Sequence, residues 1–225
     1  MLLKTVWRML KICLWVMRMI RAIIFDFGGV CFYPGNTNQI IKEALFNSNF
    51  PKMKILLLLL DFRKRKLIKE AVKEFNSGLI DDKSFWKKIK KITKYDFDER
   101  EIKENIISLN KPINRVMHII KRLKKKYKVG LLTNNNSWLD EINQRYNFYQ
   151  YFDVVVNSFD VKISKPSEKI YKITLKRLSV KPDEVVFIDD KKENVVAAIR
   201  VGMKAIHYKN PEKLIKELRS FGVEV

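Results

Sequence analysis

Cysteine and histidine are nearly absent from this chain: Cys13 and Cys31, with His118 and His207, are all it has in 225 residues. Neither pair has zinc-ligand spacing, and two isolated cysteines make no disulfide framework. Zinc chemistry and a disulfide-stapled secreted fold are excluded, and a cytoplasmic location is the default expectation. Long uncharged runs are missing as well. The segment Met1–Ile20 is apolar apart from Lys4, Arg8, Lys11 and Arg18, which share one helical face. A spanning helix needs about 20 largely uncharged residues, and this segment does not reach that. It lacks the unbroken apolar region and small-residue cleavage site of a signal peptide. A basic amphipathic helix resting on a membrane surface is one reading. The preferred one is an upstream extension, with Met19 as the natural start just before the first core strand. The run Leu56–Leu60 is too short for a membrane and is expected to pack the core of the helices around it.

Acidic residues are also in short supply, 25 against 46 Lys and Arg, a net charge of +21. The imbalance is local: residues 50–130 hold 24 basic and 10 acidic side chains, including Arg63-Lys64-Arg65-Lys66 and Lys124-Lys125-Lys126. The plain reading is a solvated lysine-rich surface. The sharper one is a field that draws in anionic substrates. No nucleic-acid motif accompanies the charge, so no nucleic-acid partner is expected.

What is present is a hydrophobic content of 47%, enough for a full core at this length. Arg21–Asp26 is a short apolar run ending in a carboxylate and followed by Gly28-Gly29, which reads as a buried parallel strand and a tight turn. Helical patterns follow over residues 39–47, 51–76, 81–93 and 98–108. After Pro112 strand and helix alternate: helix 113–126, strand 128–133, helix 138–146, strand 153–157, helix 168–178, strand 184–189, helix 193–201, strand 204–207 and helix 212–221. That alternation predicts an α/β fold, a Rossmann-like parallel sheet with helices on both faces and an all-helical insert after the first strand. The expected division is an N-terminal segment 1–20, a core of 21–33 and 111–225, and an insert of 34–110.

Polar residues stand at four strand ends or just beyond: Asp26, Thr133-Asn134, Lys165 and Asp189-Asp190. In a parallel sheet these ends share one edge, where ligands bind. A carboxylate can attack phosphorus and form an intermediate that water later cleaves, and Asp26 is placed to be that nucleophile. Thr133, the Asn134 backbone N–H, Lys165 and Mg²⁺ can position the phosphate and neutralise its charge. Mg²⁺ takes hard oxygen ligands, for which Asp26, Asp190, the Gly28 carbonyl and Asp189 are the candidates. Taken singly, each residue has a duller explanation, since an Asp-Asp pair before a helix is more often an N-cap. Trp138 and Tyr171 read as packing residues, and His118 as a helix residue without a catalytic duty.

Together the four stretches resemble the ordered motifs of the haloacid-dehalogenase (HAD) superfamily: Ile-Ile-Phe-Asp26-Phe-Gly28-Gly-Val, Gly-Leu-Leu-Thr133-Asn134, Ser164-Lys165-Pro166 and Val-Phe-Ile-Asp189-Asp190. With Ile170-Tyr171 and Asn194 downstream, the chain is similar to the subgroup containing sugar-1-phosphate phosphatases and the phosphatase domain of soluble epoxide hydrolase. The resemblance runs from Arg21 onward. It implies a Mg²⁺-dependent phosphatase of small phosphorylated metabolites, with an aspartyl-phosphate at Asp26 and a helical cap over residues 34–110. One position departs from the family pattern: Gly28 stands where phosphatases of this family carry a second Asp, the general acid for the leaving group. The departure leaves two alternatives open, a metal-free haloacid dehalogenase and a non-catalytic HAD-like binding module. Substrate identity lies with the insert, whose Phe46, Phe50, Phe85, Trp86 and Tyr95 either line the entrance or pack it. Oligomeric state is not legible.

Overall fold

A computed structural model describes residues 19–35 and 37–225. The expected N-terminal segment, apart from its last two residues, lies outside them. Four consecutive apolar residues, all buried, form the central strand β1 (Ala22–Phe25). It is flanked by β4 (Lys128–Thr133) and β6 (Val185–Asp189), and these by β5 (Val154–Asn157) and β7 (Lys204–His207), in the order β5-β4-β1-β6-β7. All four pairings are parallel.

The two-residue alternation of a strand explains the layering. Ile23 and Phe25, with Val186 and Ile188, pack on one face against α6 (Asn114–Leu123), α7 (Leu139–Tyr146) and α11 (Pro211–Ser220). Ala22 and Ile24, with Val185 and Phe187, pack on the other against α9 (Glu168–Leu178) and α10 (Lys192–Arg200). The predicted parallel sheet with helices on both faces is therefore present. The chain leaves β1 to build one side of the sheet and returns to build the other. Its switch point is β1, and the crevice there opens directly beyond Phe25.

Between the core strands lies a helical segment: α1 (Thr37–Phe46), α2 (Lys52–Leu60), α3 (Phe62–Asn76), α4 (Asp82–Thr93) and α5 (Glu99–Leu109). It leaves and re-enters the core through a two-residue antiparallel ribbon, β2 (Phe32–Tyr33) on β3 (Lys111–Pro112). The sequence reading contained no such ribbon. It also ran one helix through 51–76, whereas the structure breaks it at Asp61, whose side chain caps α3 by accepting the Lys64 N–H at 3.0 Å. Asp81 and Asp98 cap α4 and α5 in the same way. The leucine run only partly packs the segment's core: Leu58 is buried, but Leu56, Leu57 and Leu60 are exposed.

The segment is seated on the core by an aromatic cluster and a polar turn. Trp86 stacks on Trp138 at 5.5 Å and Phe75 on Phe85 at 4.7 Å, while the Trp138 indole N–H donates to Asp82 at 3.1 Å. Trp138 is thus the packing residue the sequence suggested. After α3, Ser77 and Ser164 share a hydrogen bond at 2.9 Å, and Ser158, in the single-turn α8 (Ser158–Val161), donates to the Asn76 carbonyl at 2.5 Å. Gly78 follows with φ +62°, and a Cβ there would run into the Phe159 carbonyl and the Lys162 side chain. Gly222 has φ +77° with open space around it. A left-handed alanine costs roughly 1–2 kcal/mol, so Gly222→Ala reads that strain alone. Gly78→Ala is expected to lower the thermal midpoint by several degrees more than Gly222→Ala; equal losses would mean that the turn does not press on the core.

Candidate active site

Three neighbouring strand ends deliver the predicted residues to one edge. In register, Phe25 lies beside Leu131 of β4 and Ile188 of β6, so Asp26 and Asp189 follow at one level and Thr133 stands one residue further along β4, beyond Leu132. Asp26 continues the sheet by donating its N–H to the Ile188 carbonyl at 2.9 Å. Its Oδ1 accepts from the Phe27 N–H and from Lys165 Nζ, each at 2.7 Å.

Lys165 is the hub of the site. Its ammonium, 1% exposed, also donates to Asp189 Oδ2 at 2.7 Å and to the Leu132 carbonyl at 2.8 Å, which uses all three of its protons. The loop carrying it is held by Asn134, whose side chain accepts the Lys165 N–H at 2.8 Å and donates to the Lys165 carbonyl at 2.9 Å. Asp189 is equally saturated. Besides Lys165 it accepts from the Lys191 N–H at 2.8 Å and from Asn194 Nδ2, at 3.0 and 2.9 Å to its two oxygens. A carboxylate has about four acceptor sites, and here all are engaged.

Asp190 differs. Its Oδ1 is buried without a hydrogen-bond partner among the described residues. An ideal Cβ on Gly29, which has φ +80°, would stand 2.7 Å from its Oδ2, and one on Gly35 would stand 3.3 Å away. The carboxylate is thus cradled by two glycines that nothing larger could replace without a shift. Asp26, Asp189 and Asp190 each offer an oxygen within 4.8 Å of the others. Three acids around one lysine leave negative charge uncompensated, and hard oxygens with an unpartnered buried member are the donor set a divalent cation such as Mg²⁺ requires.

The electrostatics carry the same signature. Burial pushes the Asp26 carboxyl up to about 7; Lys165 opposes the rise and Asp189 adds to it. Burial pulls Lys165 down, but Asp26 and Asp189 more than offset it, so the ammonium stays charged. Burial and then Asp189 raise Asp190 as well.

A chamber of about 120 Å³ sits over this edge, walled by Asp26, Gly28, Thr133, Asn134 and Lys165 from the core and by Phe75 and Asn76 from the helical segment. Thr133 is buried against it. Phe85 lines the chamber too, whereas Phe46 is exposed and Phe50 and Trp86 are buried in packing. Sequence reasoning missed the Asn194 clamp on Asp189 and the contribution of Asn76. Asn194 entered only through its resemblance, and Asn76-Ser77-Gly78 read merely as a helix end.

The model of the haloacid dehalogenase-like hydrolase family matches residues 20–202. The chain belongs to that family and is a hydrolase. It is 34% identical over 118 residues to rat bifunctional epoxide hydrolase 2, covering 49% of this chain and 21% of that protein. It therefore spans about a fifth of that relative's length. It is 26% identical over 203 residues to a glyceraldehyde 3-phosphate phosphatase of Methanothermobacter thermautotrophicus, covering 84% of this chain and 85% of that one. Among solved structures, a HAD family enzyme of Bacteroides thetaiotaomicron in complex with magnesium and inorganic phosphate has the same fold. Its TM-score is 0.69 at 20% identity, over 84% of this chain and 94% of that chain. No helix among the described residues is long and apolar enough to cross a membrane.

The raised Asp26 carboxyl makes a stability prediction. Between its unfolded value of 3.8 and about 7 the folded state keeps a proton that the unfolded state releases, so stability falls as pH rises through that window. Asp26→Asn, with no charge to bury, is expected to raise the thermal midpoint by several degrees at pH 8 in EDTA, the gain shrinking toward pH 5. A lower midpoint at pH 8 would show that the buried charge is compensated.

Proposed function

We propose that this hydrolase is a Mg²⁺-dependent phosphatase of phosphorylated small molecules, with Asp26 as nucleophile. The observation that carries the reading is Lys165 bridging Asp26 and Asp189 while the buried carboxylate of Asp190 is left without a donor. Mg²⁺ would be held by Asp26, Asp190 and the Gly28 carbonyl, with Asp189 behind them, and would supply neutralisation of the phosphoryl oxygens. Asp189, its oxygens already taken, serves mainly to fix Lys165.

The residues of the chain then divide the work. Lys165 orients Asp26 and favours its ionised form against the burial that raises it; the Thr133 hydroxyl and the Asn134 backbone N–H bind the phosphate. An Asp26 oxygen forms a bond to phosphorus as the bond to the leaving oxygen breaks. Water then attacks phosphorus, releasing inorganic phosphate and the Asp26 carboxylate. Residues 34–110 act as the cap that closes the chamber against water, as their share of its walls suggests.

The leaving oxygen needs a proton unless it is stable as an anion, and Gly28 supplies none. A positioned acid is worth about 10²–10⁴ in rate, so aryl, acyl and anomeric sugar phosphates should outpace alkyl ones. Space for an acid remains, since a Cβ on Gly28 would meet nothing nearer than Gly35 Cα at 4.0 Å. A haloacid substrate fits less well, because carboxylates uncompensated by a metal would repel its own.

With Mg²⁺ the protein is expected to hydrolyse p-nitrophenyl phosphate at least tenfold faster than glycerol phosphate. EDTA or Asp26→Asn should abolish both activities, and Gly28→Asp should narrow the gap by raising the alkyl rate. Activity that survives Asp26→Asn, or EDTA-insensitive chloride release from 2-chloropropionate, would overturn the reading. Equal rates on the two phosphates would overturn the part played by Gly28.

A further inference from the structure

The chamber over Asp26 opens into a second cavity of about 720 Å³, which shares Val72, Asn76, Asn134, Lys165 and Lys191 with it. Three helices of the segment furnish its walls: Leu45 from α1, Ile55, Leu58 and Leu59 from α2, and Ile68 and Val72 from α3. Among the described residues, no aromatic and no acidic side chain lines it. Lys42, Arg65, Lys69 and Lys73 edge the cavity, and none pairs with a carboxylate among the described residues.

These features restrict what can occupy the cavity. Its volume lies within the range of roughly 300–1,000 Å³ typical of sites that enclose whole small molecules, and the phosphate chamber beside it is far smaller. Among the described residues no aromatic face is there to stack a base or a flavin ring. A small polar metabolite would leave the aliphatic walls wet. Unpaired cations at the rim favour the entry of anions. We propose that the substrate is a phosphate whose body is an aliphatic chain, the phosphoryl group seated at Asp26 and the chain lying along α1–α3. Because Gly28 provides no acid, an acyl phosphate suits both constraints: its leaving group is a carboxylate, stable without a proton, and its chain fills the cavity. P–O cleavage by Asp26 frees the carboxylate, and water then releases inorganic phosphate from Asp26, so no other reactant is needed.

This inference rests on the phosphatase reading above, and the test separates the two. The full chain with Mg²⁺ is assayed on acetyl, butanoyl, hexanoyl, octanoyl and decanoyl phosphate, below any micelle concentration, with Asp26→Asn subtracted as background. Burial of each added methylene is expected to raise kcat/KM by about three- to fourfold until the cavity is full. Leu59→Trp, which occupies part of the cavity, should move the plateau to shorter chains. The readout is the slope against chain length, which a general loss of activity leaves intact. A flat series with Asp26-dependent turnover of acetyl phosphate, or a plateau unmoved by Leu59→Trp, would overturn the aliphatic substrate and leave the phosphatase standing. Absence of Asp26-dependent turnover of every member and of p-nitrophenyl phosphate would overturn the phosphatase itself.

Discussion

One buried ammonium holds the site together. Lys165 satisfies two carboxylates and a backbone carbonyl, and in doing so ties the carboxyl ends of β1, β4 and β6 to a loop that belongs to none of them. A buried ion pair adds little net stability, but losing one partner leaves a charge stranded at a cost of about 3–5 kcal/mol. The lysine is therefore less a source of stability than a constraint. With all its protons committed, its rotamer is set, and the orientation of Asp26 is set with it. Asn134 fixes the loop through backbone contacts, so the lysine's reach from loop to strand is determined at both ends.

The constraint also sorts three chemically identical acids into different roles. Asp189 faces more donors than it has free oxygens and is spent on structure. Asp26 accepts on one oxygen, and Asp190 packs against glycine. The charge left over destabilises the folded chain, as the raised Asp26 and Asp190 carboxyls record. Sites that carry such strain trade stability for chemistry.

Much of this was legible because burial writes itself plainly into sequence. β1, β4 and β6 are short, largely apolar runs at parallel-strand spacing, and Glu168–Leu178 matches α9 end to end. The strand-end residues followed from that pattern alone, and the spacing of their motifs pointed to the family. What escaped detection depends on contacts distant in sequence or on faces that no period marks. The β2–β3 ribbon is two residues long on each side, too short to alternate. Leu56–Leu60 is apolar all round, so no stripe indicates which leucines face inward. Asp61 was the only stop between two helix-forming runs, and a single capping residue is weak against such a background. The Asn134–Lys165 and Asn194–Asp189 contacts join side chains whose identity is as compatible with capping as with clamping.

Core and helical segment contribute differently to the two cavities. Asp26, Thr133, Lys165 and the acid pair belong to strand ends and adjoining loops locked by the sheet, whereas the larger cavity is walled by α1–α3. The two parts meet at the aromatic cluster around Trp138 and at the Asn76-Ser77-Gly78 turn, where little separates the backbones. Side chains on α1–α3 therefore set most of the larger cavity's shape, while Lys165 reaches both cavities. Burial at this edge drives the Asp26 carboxyl up to about 7. Removing water strengthens every charge interaction that remains. Burial around Asp26 thus has two effects at once, raising its carboxyl and sharpening the field that Lys165 exerts on it.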